Sequence, residues 1–207
     1  SSLGANTTAI NNTAVGYLAL GVNTTGANNV ALGSVALDAN TTGNDNTSIG
    51  TSSLGANSTG SNNVALGASA LAGNTTADNN TGVGHFALQA NTTGADNVAV
   101  GAYSSDANTE GGNNSAFGSH SLGANTTGSA NVALGKQALH NNTTASYNVA
   151  VGKDSLFTNT TGTNNTALGD RASYLQTTAS YNVAVGYASA YSNTTGDFIV
   201  AVGSGAL

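Results

Sequence analysis

A glycine recurs every 17 residues along the chain, from Gly16 and Gly33 through Gly101 and Gly186 to Gly203, with no insertion or deletion in eleven intervals. So short and strict a period leaves few folds open. Each unit must bury its apolar residues against copies of itself, and it is too short for the two-helix repeats of about 33–47 residues.

With that glycine as position 0, a representative unit, Gly16 to Leu32, reads G-Y-L-A-L-G-V-N-T-T-G-A-N-N-V-A-L. Position 7 is Asn from Asn6 to Asn193 except at Gln176, and position 13 is Asn until Ile199. Position 8 is Thr except at Ser58, position 9 is Thr except at Glu110, and position 10 is only Gly or Ala. Position 15 is always small, position 16 always apolar, and position 4 is Leu except at Ser105, Ser173 and Ala190.

The units lack helix formers, and Asn-Thr-Thr-Gly would interrupt a helix in each of them. The segment N-V-A-V-G alternates with period two and is rich in Val, which reads as a strand. A second short strand is expected over positions 2 to 5, and Asn-Thr-Thr-Gly between the two strands reads as a turn. Each unit then forms one coil of an all-β parallel β-solenoid of twelve 17-residue coils. At about 4.8 Å per coil the rod would be roughly 55–60 Å long.

The columns acquire physical meanings in that fold. Stacked Asn side chains such as Asn29, Asn97, Asn182 and Asn91 can hydrogen-bond along the ladder and satisfy turn amides. Position 15 points opposite to positions 14 and 16, so an Ala there in coil after coil implies a close neighbouring wall. Positions 16 and 4 are expected to supply the aliphatic core stack, with position 14, which alternates between Val and Thr, less deeply buried.

Only 6% of the residues are charged, and the net charge of −6 comes from nine acids and three bases. Like charges stacked about 4.8 Å apart repel by roughly 1 kcal/mol even in water, which explains the scarcity. The exceptions suit the register. Lys153 with Asp170, and Asp154 with Arg171, are each 17 apart and expected to pair between coils. Three scattered bases leave no basic patch for a phosphate backbone, so no nucleic-acid partner is expected. No apolar run reaches the roughly 20 residues that would span a membrane, and the absence of Cys leaves the redox compartment open. Four or so aliphatics per coil make a thin core for a monomer, so the reading predicts self-association as a parallel trimer.

The runs Asn29-Val30-Ala31-Leu32-Gly33, Asn97-Val98-Ala99-Val100-Gly101 and Asn182-Val183-Ala184-Val185-Gly186, followed by a small residue and Leu as in Ala36-Leu37, resemble a known signature. It is the Asn-Ser-Val-Ala-Ile-Gly of the YadA-like head repeats of trimeric autotransporter adhesins. The resemblance covers all twelve units. It implies an exported, trimeric, left-handed parallel β-roll that binds host surfaces or matrix, and similar arrays occur in phage tail fibres. The signature Ser is missing here, and the unit is longer than the usual family repeat at Asn-Thr-Thr-Gly. Residues 1–207 read as one array and a fragment of a longer fibre, with 197–207 as a cap or junction, because Asp197-Phe198-Ile199-Val200 breaks the consensus.

Chemistry-bearing residues are sparse. His85, His120 and His140 fall at positions 1, 2 and 5 of different coils and are expected to stand apart, which argues against a metal site or a catalytic dyad. Asp78 and Asp96 share a corner but lack the Gly-rich calcium repeat around them. Neither P-loop, GxSxG nor nucleophilic Cys is present, so no enzyme and no cofactor is expected. Tyr17, Tyr147, Tyr181 and Tyr187 read as loop decoration. The Asn91-Thr92-Thr93 type of segment admits three readings: a structural turn, an N-linked sugar acceptor, or a binding row for ice or carbohydrate. The leading expectation is a structural and adhesive rod of an extracellular, cell-surface or virion fibre, partnered by itself and by a surface receptor, matrix protein or glycan. The alternative is an ice- or carbohydrate-binding solenoid acting through the Asn-Thr-Thr face.

Overall fold

The computed structural model describes residues 2–207. Twelve three-residue parallel strands, from β1 (Thr13–Val15) to β12 (Val200–Val202), stand in one sheet in sequence order. Each covers positions 14 to 16 of its unit, and each pairs in register with its counterpart 17 residues away. Val98 of β6 (Val98–Val100) lies between Thr81 and Ser115. The protein is an all-β parallel β-solenoid, and no helix occurs among the described residues.

Only one strand forms per coil. The expected second strand at positions 2 to 5 is a turn in which non-glycine residues take left-handed backbone angles at positions 2 and 4, as at Phe86 (φ 59°) and Leu88 (φ 52°). The backbone still bonds between coils there: the Val35 amide donates to the Tyr17 carbonyl (2.8 Å) and the Leu37 amide to the Ser53 carbonyl (3.0 Å). This geometry lets two consecutive side chains, Ala87 and Leu88, both face inward with no exposure, which a strand forbids because its side chains alternate. A left-handed Leu costs roughly 1–2 kcal/mol. Full burial of the same side chain returns about 1.5–3 kcal/mol, which explains why the column tolerates Leu.

The core consists of positions 3, 4 and 15: Ala87, Leu88 and Ala99 in one coil, Ala138, Leu139 and Ala150 in another. Position 16 does not belong to it. Positions 14 and 16 flank the inward position 15 on one strand, so alternation turns both outward, and Leu32 and Leu134 are 46% and 48% exposed. The buried apolar residues fall into two clusters, one ending at Ala99 and the other beginning at Ala116. The gap is the coil Gly101–Phe117, where Ser104 and Ser105 replace the usual Ala and Leu.

Position 0 accepts only glycine. Gly101 has φ +134°, and a Cβ there would lie 2.6 Å from the Gly118 carbonyl carbon of the next coil. Gly33 and Gly186 repeat the arrangement, with φ +143° and +127°.

Candidate functional surfaces

The outward side of the sheet is the largest feature of the molecule. Positions 14 and 16 form two rows about 6.6 Å apart along each strand and about 4.8 Å apart between coils. Val64, Leu66, Phe117, Val132, Leu134, Leu168 and Val183 all stand exposed on it. A strip roughly 55 Å by 10 Å results, about 500–600 Å², at the upper end of what monomeric proteins leave uncovered.

Two internal Asn columns hold the opposite turn. At position 7, Asn91 Nδ2 donates to Asn74 Oδ1 (2.9 Å) and to the Gly94 carbonyl (2.9 Å). At position 13, Asn97 Nδ2 donates to the Gly111 carbonyl (2.8 Å), while its Oδ1 accepts the Asn114 amide (2.9 Å). Asn29 likewise reaches the Gly43 carbonyl (2.9 Å) and accepts the Asn46 amide (3.0 Å). Apart from the end members Asn6, Asn12 and Asn193, both columns are buried, so their amides are satisfied inside rather than offered to a ligand. Gln176 interrupts position 7: it bonds the Ala179 carbonyl (3.1 Å) and accepts from Asn182 (3.1 Å), and Asn159 Oδ1 is left buried without a partner.

The two Thr columns differ. Position 8 is half-buried over most of the array, and its hydroxyl donates to the next coil, as Thr92 Oγ1 does to the Thr109 carbonyl (3.0 Å). Position 9 is exposed, so Thr93 and its equivalents form a single file at coil spacing, broken by Glu110.

The three bases, Lys136, Lys153 and Arg171, share one corner with Asp154 and Asp170, at positions 1 and 2 of successive coils. Arg171 Nε lies 4.0 Å from Asp154 Oδ2 of the preceding coil. Lys153 does not pair with Asp170. It turns to Asp154 in its own coil (3.4 Å), and Asp170 pairs with Arg171 (3.8 Å). The Asp154 carboxylate is nearly buried at the corner, so it draws in both neighbouring cations.

The histidines do not all stand apart. His120 and His140 occupy adjacent coils with ring centroids 6.0 Å apart, and His140 Nδ1 lies 3.0 Å from the His120 carbonyl oxygen. They belong to a strip that the sequence reading missed: Phe86, Tyr103 and His120 at position 2, then His140, Phe157, Tyr174 and Tyr191 at position 5. Members of each run are 17 apart, which was the available signal. The column switch at Gly123, over which the His140 ring leans, concealed it. Phe157, Tyr174 and Tyr191 stack face over face at 5.3 Å, so their faces cover one another and only ring edges point outward. Tyr17, Tyr147, Tyr181 and Tyr187 are exposed, and Tyr181 stacks on Phe198 at 5.2 Å.

Asp106 sits beside the two histidines. Burial holds its carboxyl above the ordinary 3.8, while a backbone hydrogen bond and the charges of His120 and His140 pull the other way. Asp38 is raised in the same sense, again chiefly by burial. Among the described residues no group of three or more His, Cys, Asp or Glu is placed to hold a metal ion, and no helix is long and apolar enough to cross a membrane.

No protein-family model matches the chain, and neither a curated protein nor a solved structure matches it.

Proposed function

We propose that this chain is the structural and adhesive rod of an extracellular fibre, assembled as a parallel homotrimer through the outward face of its sheet. One observation carries the reading: position 16 is apolar in every coil and faces outward, with Val beside it at position 14 in seven of the twelve, while the Asn-Thr-Thr turn on the other side of the coil is polar. A strip of that size lined by Val, Leu and Phe is the surface expected of an assembly interface. Parallel, in-register copies would set equivalent coils side by side along its length. The resemblance to YadA-like head repeats supports the same arrangement, with a surface receptor, matrix protein or glycan as the partner of the exposed flanks.

Sedimentation equilibrium tests the assembly. The expected species is a trimer. Leu66→Asp with Leu134→Asp should give a monomer that keeps its β-type circular dichroism, because both side chains already face outward. A monomeric wild-type chain would contradict the proposal. Adhesion is then read by binding of trimer and monomer to immobilised glycans and matrix proteins, with trimer binding exceeding monomer binding by avidity.

A second reading, ice or carbohydrate binding by the Asn-Thr-Thr face, draws on the exposed file of Thr at position 9. The file is only one residue wide, since the position 8 hydroxyls are spent on the next coil. Thr76→Lys with Thr93→Lys, both on the exposed file, would abolish binding without unfolding under this reading, and would leave the adhesive rod almost unchanged.

A further inference from the structure

The acceptor sequence for N-linked sugar, Asn-x-Ser/Thr, occurs in several registers of the coil, and the fold treats them differently. The most frequent copies begin at position 7, as at Asn74, Asn91 and Asn125. Those amides are fully buried, and each Nδ2 is donated twice, once to the Asn of the preceding coil and once to a turn carbonyl. Asn46, in Asn46-Thr47-Ser48, is buried as well. A copy at position 6, Asn141-Asn142-Thr143, has its hydroxyl committed, since Thr143 Oγ1 donates to the Thr160 carbonyl (3.2 Å).

Copies that begin at position 12 are different. Where position 14 is Thr or Ser, Asn11, Asn79, Asn113 and Asn164 each head an acceptor sequence. All four are exposed and sit at a left-handed turn apex, with φ between 58° and 61°. Their amide bonds are solvent-facing: Asn79 Nδ2 to Asp96 (3.1 Å), Asn164 Nδ2 to Thr163 (3.1 Å) and Asn11 Nδ2 to Asn28 (3.1 Å), with none among the described residues for Asn113. The paired hydroxyls of Thr13, Thr81, Ser115 and Thr166 lie on the outward side of the strand and make no hydrogen bond among the described residues. Within the array, exposed amide and unbonded hydroxyl meet in this register, and among its four copies the Asn113 amide is the one without a partner among the described residues; the first coil's Asn6, exposed and bonded only to the Ala9 carbonyl (3.0 Å), is the exception in the position 7 column.

We propose that position 12 is the N-glycosylation edge of the folded rod, with Asn113 its most open acceptor, and that the commoner Asn-Thr-Thr sequences fall silent once the coil closes. The donor is a nucleoside-diphosphate hexose. Asparagine Nδ2 attacks the anomeric carbon, an N–C bond forms as the C–O bond to the diphosphate breaks, the nucleoside diphosphate leaves, and one amide proton passes to a base on the transferase. The sugar would stand at the turn that leads into the sheet, beside the apolar strip.

The test uses a soluble sequon-reading N-glycosyltransferase chosen because it glycosylates two free peptides, one spanning Asn91–Thr93 and one spanning Asn113–Ser115. The folded protein, and beside it the Leu66→Asp, Leu134→Asp chain whose outward face is kept free of other copies, is incubated with that enzyme and UDP-glucose, and the sites are mapped by peptide mass spectrometry. Hexose is expected on Asn113 and its position 12 equivalents and absent from Asn91 and the other buried ladder residues. Ser115→Ala, in a column that already varies among Thr, Val and Ser, should lose the hexose on Asn113 alone. Hexose on Asn91 of either folded chain, or an Asn113 left bare in the chain with the free outward face, would overturn the proposal; hexose there but not on the wild-type rod would mean that assembly covers the site.

Discussion

Replacing Ser105 with Leu should stabilise the rod. Ser105 occupies the core column at position 4, almost fully buried, and its Oγ has no hydrogen-bond partner. Leu88 and Leu122 fill the same column in the coils on either side with no exposure. The backbone presents no obstacle, because Ser105 has φ 49° and those leucines have 52° and 53°. Burying a Leu side chain is worth about 1.5–3 kcal/mol, and removing an unpaired buried hydroxyl adds about 1–3 kcal/mol. Neighbours that have settled around a serine resist the larger side chain by about 1–3 kcal/mol. The net expectation is a gain of about 2 kcal/mol, or roughly 4–8 °C in Tm for a chain of this size. Calorimetry reads the melting shift. Hydrogen exchange reads the local effect, which should be slower exchange across β6 and the next strand, Ser115–Phe117, as the two core clusters join. An unchanged or lower Tm would refute the assignment of position 4 as the core stack.

Gln176→Asn should restore a donor to Asn159 Oδ1 and continue the position 7 ladder, raising stability by about 1 kcal/mol in denaturant titration; a loss would mean that the Gln176–Asn182 bond matters more than the ladder. Gly101→Ala forces a Cβ onto the Gly118 backbone at φ +134° and should cost about 3 kcal/mol, visible as loss of protection in the coils that meet there. Asp106 is raised above its ordinary 3.8 in the folded chain, so the folded state holds its proton more tightly than the unfolded one, and stability falls as pH rises from about 3.8 through the folded value. Asp106→Asn should therefore be more stable than wild type above that window and lose its advantage below it, as melts across pH 3 to 7 would show.

The sequence made the period, the register and the strand legible because each is a one-dimensional property: a 17-residue interval fixes which residues stack, and N-V-A-V-G alternation fixes the strand. The inward turn of Ala99 followed from the same alternation. What escaped the reading depends on backbone angles that composition does not announce. Leu at position 4, as at Leu20, reads as a strand residue because a left-handed Leu is rare, yet the fold uses one in most coils. Position 16 reads as core by hydrophobicity alone, although its alternation with position 15 points it outward. The aromatic strip changes columns at Gly123, so a search of single columns finds two short runs rather than one line. Lys153 shows that register supplies candidates for pairing while burial chooses between them, since the near-buried Asp154 prevails over Asp170.

In-register stacking is tested most directly by distances along the rod. The chain has no Cys, so spin labels attach only where cysteine is introduced, and Thr25, Thr93 and Thr161 are exposed members of one column. Double electron–electron resonance on the 25/93 and 25/161 pairs, diluted in unlabelled protein, should give separations of roughly 19 Å and 38 Å for four and eight coils at about 4.8 Å each. A separation that fails to double between the two pairs would contradict the solenoid.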